Sequence, residues 1–576
     1  MKTAVSRFFW IIVLGSAVSG CVVASPEVKL KAAPLLETGS GTAESYYHYI
    51  DGYLKELSGK LDEAGKIYSR AMEKSPNSPD LLTRYASILI RQGKLNRAEK
   101  LVRRAVSIDP ANTHAYFLLG GINTARRNLS GAVTAYERLL RINPNEREAR
   151  LLLGTAYIEL KRYKESVQAF DYLINSNPGY ILGRLYRAQA NFQLKKYDPA
   201  ERDLRFLLKR RPQHTQALLF LARIHERREN FGEAEKAYKK ILVLEPKHRF
   251  ARSRLGQVYI RKDNLKEALK EYESLIKDEP DNLVVHRTLG FLHYDRRNFQ
   301  RALREFQFVL GRRPKDAVVR RYVAAVYEEL NQLTRAEEEL KKILEQDSKA
   351  LEAFIQLARL YGKKKDWKSV YSVLDRATNK NAKSDRLAFI RGVFLARQKR
   401  YKEAIPHYKS AIRLNPKQMN YRFNLAVAFY ETHQWKDVEA AIRAVLKVQP
   451  KHANALNLLG FMFSELDRDI DEAEQLLSRA LAIDPNNGAF LDSMGWVYYR
   501  QGRYTLALKK IHHAINQIPD DAVILDHLAD VYKAMNNIPK ALFYWKKSYK
   551  IDPKNKKVFE KIIKNGGSIE APPKNL

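Results

Sequence analysis

Proline recurs with a step of 34 residues, at 76, 110, 144, 178, 212, 246, 280 and 314, again at 416 and 450, and after one step of 35 at 485, 519 and 553. Ser348 and Ala382 stand in the two slots without proline, so one register runs through fifteen units. A beat this regular requires one unit repeated in tandem, because separate globular domains would each have their own core and no common period. Every unit carries Gly or Ala ten residues after the preceding slot, from Gly52 and Ala86 to Gly495 and Ala529. A second small residue stands twelve before the slot, and only Ser166, Val370 and Val438 depart from alanine there.

Each unit is expected to hold two helical stretches with a small residue on each where backbones approach. The proline ends the second helix because it has no N–H to continue the ladder. Large residues eight before the slot (Tyr68, Tyr136, Phe170, Tyr238, Tyr272, Phe306, Tyr408 and Trp545) are expected in the core. No single hairpin can bury both faces, so the core must lie between stacked neighbours. Composition agrees: 45% hydrophobic and 29% charged residues suit amphipathic helices and are too apolar for a disordered chain.

Over about residues 43 to 553 this pattern resembles the tetratricopeptide repeat family. The resemblance implies an all-α, right-handed superhelical solenoid of about fifteen hairpins with a concave groove. Residues 43–347 read as an N-terminal array and 383–553 as a C-terminal array. Between them, 348–382 lacks the prolines and is expected to act as a hinge. Val558, Phe559, Ile562 and Ile563 share one face of a capping helix at 554–565, and 566–576 is a mobile tail.

The N-terminus reads as an address. Lys2 and Arg7 precede the apolar run Phe8 to Leu14, which is short for a membrane span and suited to a signal peptide over 1–20. Val18-Ser19-Gly20-Cys21 resembles the bacterial lipobox, which implies lipidation of Cys21, the chain's single cysteine. An ordinary secretory signal beside a chance cysteine is the competing reading. Multiple acyl chains on one residue would anchor the protein stably. Val22 in place of Asp implies outer-membrane sorting, with the body in the periplasm on a tether over 21–42.

One cysteine excludes a disulfide framework within the chain. The phosphate-cradling, zinc-protease and nucleophile-elbow motifs are absent, so no enzyme activity, cofactor or metal is expected. His225 and His293 occupy a first-helix packing position, and adjacent His512 and His513 point apart. Asp467, Asp469 and Asp471 mimic half a calcium loop, but Glu472 replaces its glycine and Ser478 its closing glutamate.

Lys and Arg number 102 against 65 Asp and Glu, a formal charge of +37 that points toward anionic partners. In the resembled family, set positions on the first helices line the groove. In the middle units they carry Arg223, Arg227, Arg254, Arg261, Arg287, Arg321, Arg359, Lys363, Arg386 and Arg397. A basic binding groove and a solvated face of a generally basic chain are equal readings of that set. Toward the C-terminus the positions carry Asn420, Asn424, Asn454 and Asn457, then Phe461, Trp496, Tyr499 and Asp530. Amides and aromatics suit an extended peptide.

The stretch through Asp492-Ser493-Met494-Gly495-Trp496 resembles proteobacterial outer-membrane lipoproteins of this repeat type, including the adaptor of a periplasmic C-terminal-processing protease. The expected function is a membrane-anchored, non-catalytic adaptor that binds periplasmic proteins and brings a protease and cell-wall hydrolases together. The alternative is a scaffold for exopolysaccharide export or type IV pilus assembly, with an anionic polysaccharide in the basic groove. Export argues against a nucleic-acid partner.

Overall fold

The computed structural model describes residues 43–570. The signal segment 1–20, Cys21, the tether to residue 42 and the tail beyond 570 lie outside the described residues. Among those described there are 31 helices and no strand. They form fifteen hairpins, from Ala43–Leu57 with Leu61–Lys74 to Ala522–Ala534 with Ile538–Ile551, followed by a single last helix, Lys556–Lys564. The chain divides into two compact bodies, one through Asp278 and one from Glu279 onward.

Both turns of the hairpin have a local cause. After each first helix one residue takes the left-handed conformation, and in the repeat with the longer step a second, Asp469, follows Asp467. Gly59, Gly93 and Gly502 do so freely, whereas Arg127, Lys161, Asn331 and His433 do so at φ near +60°. In repeat three, Asn128 N–H then reaches back to the Asn123 carbonyl and Arg127 N–H to that of Thr124, which closes the helix end. After the second helix the residue before the proline is held extended, as at Asn143 (φ −124°, ψ 89°). This is the conformation that a following proline favours. Asp347 (φ −134°, ψ 95°) and Asn381 (φ −137°, ψ 54°) show that the two repeats lacking proline keep the turn.

The core lies where expected, between the helices of each hairpin and between neighbouring hairpins. All eight large second-helix residues are buried, with Tyr68, Phe170, Tyr238, Phe306 and Trp545 at 0% exposure. They also correct the reading of the small residues on the first helices. In most glycine-bearing repeats it is this ring, and not a backbone, that fills the space over the glycine. A Cβ on Gly120 would lie 2.3 Å from Tyr136, and one on Gly290 2.4 Å from Phe306. Backbone approach is seen at Gly460 and Gly495, which face the carbonyls of Ala473 and Ala507.

The last helix buries Val558 and Ile562, and Phe559 packs partly against the same core. Ile563, expected on the same face, is 48% exposed, because it follows buried Ile562 and adjacent residues stand about 100° apart around a helix. Repeats ten and eleven meet sparsely, the second helix Trp367–Lys380 touching Asp385–Arg397 less than any other second helix in the C-terminal body touches its successor. No described helix is long and apolar enough to cross a membrane.

Candidate functional site

The first-helix faces hold the residues singled out for binding. In the N-terminal body, Thr215–Arg227 and Arg249–Arg261 carry four of the arginines. Arg223 is half-buried with its guanidinium 4.7 Å over Phe192 and 5.7 Å over Phe220, and burial pushes its pKa below the ordinary range. Arg254 is neutralised by Glu226, with Nε 3.2 Å from Oε2. Arg227 and Arg261 are exposed and form no ion pair among the described residues. Half of the expected basic set is therefore free to meet a partner.

The C-terminal body divides the same way. Glu352 is held by Arg321 at 3.3 Å and by both terminal nitrogens of Arg386, one at 3.2 Å. Arg287 and Arg359 form no ion pair among the described residues, while Lys363 donates to the Glu328 carbonyl at 3.3 Å. Arg397 lies 5.9 Å over the Phe394 ring. Glu226 and Glu352 were missed by reading the arginines alone. The signal was present for Glu352, which stands 34 residues before Arg386 and so at the same repeat position.

The amide and aromatic set is brought together in part. Asn420 and Asn454 are exposed. Asn424 turns back, its Nδ2 donating to the Asn420 carbonyl at 2.8 Å. Asn457 is half-buried and its Oδ1 has no hydrogen-bond partner. Beyond it a column of rings forms on consecutive first helices: His527 stacks on Trp496 at 4.1 Å and 20°, and Trp496 stacks on Tyr499 at 4.6 Å and 16°. Phe461 stands 6.2 Å from His527. The Trp496 Nε1 is buried without a partner, and burial raises the Tyr499 pKa.

Charge beneath the column explains its order. His527 and Asp492 are both buried, and Nδ1 of the ring lies 2.9 Å and 3.0 Å from the two carboxylate oxygens. Burial opposes the imidazolium, but Asp492 outweighs it and the His527 pKa is raised. Asp530, expected to face a ligand, is buried instead. It accepts from Trp545 Nε1 at 3.1 Å and from Lys561 of the last helix at 2.6 Å, so its role is to tie that helix to the core. His225 and His293 are buried in packing positions, as read from the sequence. Asp467 pairs with Arg500 and Asp469 with Arg468, each at 2.9 Å.

Comparison with known proteins concerns the repeat. Models described as tetratricopeptide repeat match residues 57–120 and 227–290, and 124–181 and 185–251. A model of the tetratricopeptide repeat protein 21 C-terminal ARM domain matches 264–456. A TPR repeat-containing protein of Pseudomonas aeruginosa is 31% identical over 108 residues, 19% of this chain and 18% of its own. A protein O-mannosyl-transferase of Drosophila melanogaster is 26% identical over 171 residues, 30% of this chain and 18% of its own. The chain thus spans less than a fifth of either relative. The solved APC/C hetero-tetramer Cut9-Hcn1 aligns over 79% of this chain and 96% of its own, at 14% identity and a TM-score of 0.38. The described residues are a solenoid of tetratricopeptide repeats, and bacterial proteins of that repeat family are among those to which the chain is similar.

Proposed function

We propose that this protein is a non-catalytic scaffold, held at the outer membrane through a lipidated Cys21, that collects periplasmic proteins on its first-helix faces. The repeat fold is in general a protein-binding scaffold without chemistry of its own. The observation that carries the reading is the column of Trp496, Tyr499 and His527, with half-buried Phe461 6.2 Å from His527 and exposed Asn454 on the same first helix as Phe461. Rigid aromatics next to amides grip an extended polypeptide at little entropic cost. The partners we infer are a C-terminal-processing protease and the cell-wall hydrolases it acts on, following the resemblance of the 490s stretch.

The test is capture of partners from detergent-solubilised envelopes by the full chain and by Trp496→Ala/Tyr499→Ala. Loss of a protein partner with the fold intact supports the grip, and undiminished capture overturns it. Arg287 and Arg359 of the C-terminal body, which form no ion pair among the described residues, favour a second reading, a scaffold in polysaccharide export or pilus assembly that holds an anionic polymer. Binding of an acidic polysaccharide that weakens steeply with salt would support it.

A further inference from the structure

We propose that the C-terminal body holds a linear acidic polysaccharide along the edge formed by its inter-hairpin turns, on a ladder of five lysines, Lys315, Lys349, Lys383, Lys417 and Lys451. The inference rests on the second reading above, that the scaffold holds an anionic polymer. It gives that polymer a surface apart from the first-helix arginines, and a charge spacing.

The five lysines stand one residue after the proline slot in five consecutive turns, 34 residues apart. All are exposed, and none makes an ion pair or a side-chain hydrogen bond among the described residues. The turn itself does not require lysine. In the N-terminal body the same position carries Asn77, Ala111, Asn145, Gly179 and Gln213. Asp281 stands before the ladder and Asn486 and Asp520 after it, with Lys247 and Lys554 apart from it. Nor does the lysine follow the proline, since Lys349 and Lys383 come after Ser348 and Ala382.

Elsewhere this position is used within the array. Asn77, Asn145 and Asp281 accept from Arg104 at 2.8 Å, from the Tyr172 hydroxyl at 2.9 Å and from Arg312 at 2.7 Å. The lysines make no such contact, which leaves their charge for a partner. Carboxylates next to them in sequence are already engaged. Asp316 caps a helix by accepting from Val319 N–H at 3.0 Å, Asp347 accepts the Lys349 backbone N–H at 2.9 Å, and Asp385 accepts from Asn415 and Tyr421 at 2.9 Å and 3.1 Å.

Spacing and chemistry select the occupant. Neighbouring turns adjoin, with Asn381 Nδ2 donating to the Lys349 carbonyl at 3.4 Å, so the charges recur at about the distance between packed helices, roughly 10 Å. A chain of six-membered sugar rings with an acid on alternate rings repeats its charge at a similar interval. Nucleic-acid bases need rings to stack on, and none of the exposed large hydrophobic residues described between Glu279 and Asp484 is aromatic. A polypeptide is gripped through its backbone N–H and C=O groups, and a lysine ammonium donates but cannot accept. A flat bilayer meets only part of the ladder, because each stacked repeat is rotated on the last.

The test titrates the full chain carrying Cys21→Ser, in non-ionic detergent, with hyaluronan, which bears one carboxylate for every two rings. Dextran is the neutral control and poly-glutamate the acidic polypeptide. Hyaluronan is expected to bind at low salt and to be released as salt rises, and dextran not to bind. Lys349→Glu/Lys383→Glu/Lys417→Glu should weaken hyaluronan binding about tenfold, the sum of three exposed charge pairs, with an unchanged far-UV spectrum. Lys100→Glu/Lys164→Glu/Lys196→Glu, the same charge change on exposed lysines of the N-terminal body, should not. Equal losses in the two variants, or tighter ladder-dependent binding of poly-glutamate, overturn the proposal. If polygalacturonate, charged on every ring, binds and only Arg287→Ala/Arg359→Ala weakens it, the ladder is overturned and the second reading stands. Binding of neither polysaccharide overturns both.

Discussion

His527 and Asp492 stand 35 residues apart and touch, because their first helices lie side by side and one repeat length returns the chain to the same face. The same step joins Glu352 to Arg386, Asp526 to Lys561 and Tyr430 to Glu465. In a stacked hairpin array, residues 34 or 35 apart share a repeat position, and these pairs meet across neighbouring hairpins.

The buried pair makes stability depend on pH. The folded-state pKa of His527 is raised above its ordinary 6.5, so the protonated ring stabilises the C-terminal body in full below that value. The contribution is lost as pH rises through the folded-state pKa. Thermal unfolding followed from pH 6 upward should show a falling transition for this body. Asp492→Asn should lower stability at acid pH and flatten the profile, whereas a profile unchanged by that substitution would discount the pair.

Gly120 is expected to tolerate no side chain while Tyr136 keeps its place. A Cβ there would stand 2.3 Å from a ring that is 1% exposed. Gly120→Ala should cost about 1–3 kcal/mol in urea unfolding, the usual range for overpacking. Adding Tyr136→Leu should recover part of the loss, because the clash is with the ring and the backbone is not strained.

The two slots without proline are open to it. Neither the Ser348 nor the Ala382 backbone N–H makes a backbone hydrogen bond among the described residues; Asp347 before the first is already extended, and Asn381 before the second lies outside the helical region at φ −137°, ψ 54°. Ser348→Pro and Ala382→Pro should each be neutral or stabilise by about 0.4–1 kcal/mol, through the unfolded chain. If the hinge proposed over 348–382 bends at the sparse junction after Trp367–Lys380, Ala382→Pro should also slow hydrogen exchange there.

Ile562 holds the last helix. It is fully buried beside Val558, and Lys561 between them bridges Asp526 and Asp530 at 2.7 Å and 2.6 Å. Ile562→Ala should cost about 2–5 kcal/mol locally. Because each repeat depends chiefly on its neighbours, hydrogen exchange should rise first in Ala522–Ile551 and leave the N-terminal body unchanged.

The sequence alone determined the hairpin and its stacking, since a proline beat, two small positions and a large residue eight before each slot repeat often enough to have a single packing solution. It also placed the arginines and the Asn and aromatic residues on the first helices, because register assigns a face. Only the tertiary structure decided which of those side chains remain free. Glu226 and Glu352 neutralise Arg254, Arg321 and Arg386, Asp530 turns inward to Trp545 and Lys561, and His527 joins Trp496 in a stack. A period says which face a residue occupies, but charge pairing and ring stacking depend on what the neighbouring repeat presents across a few ångströms.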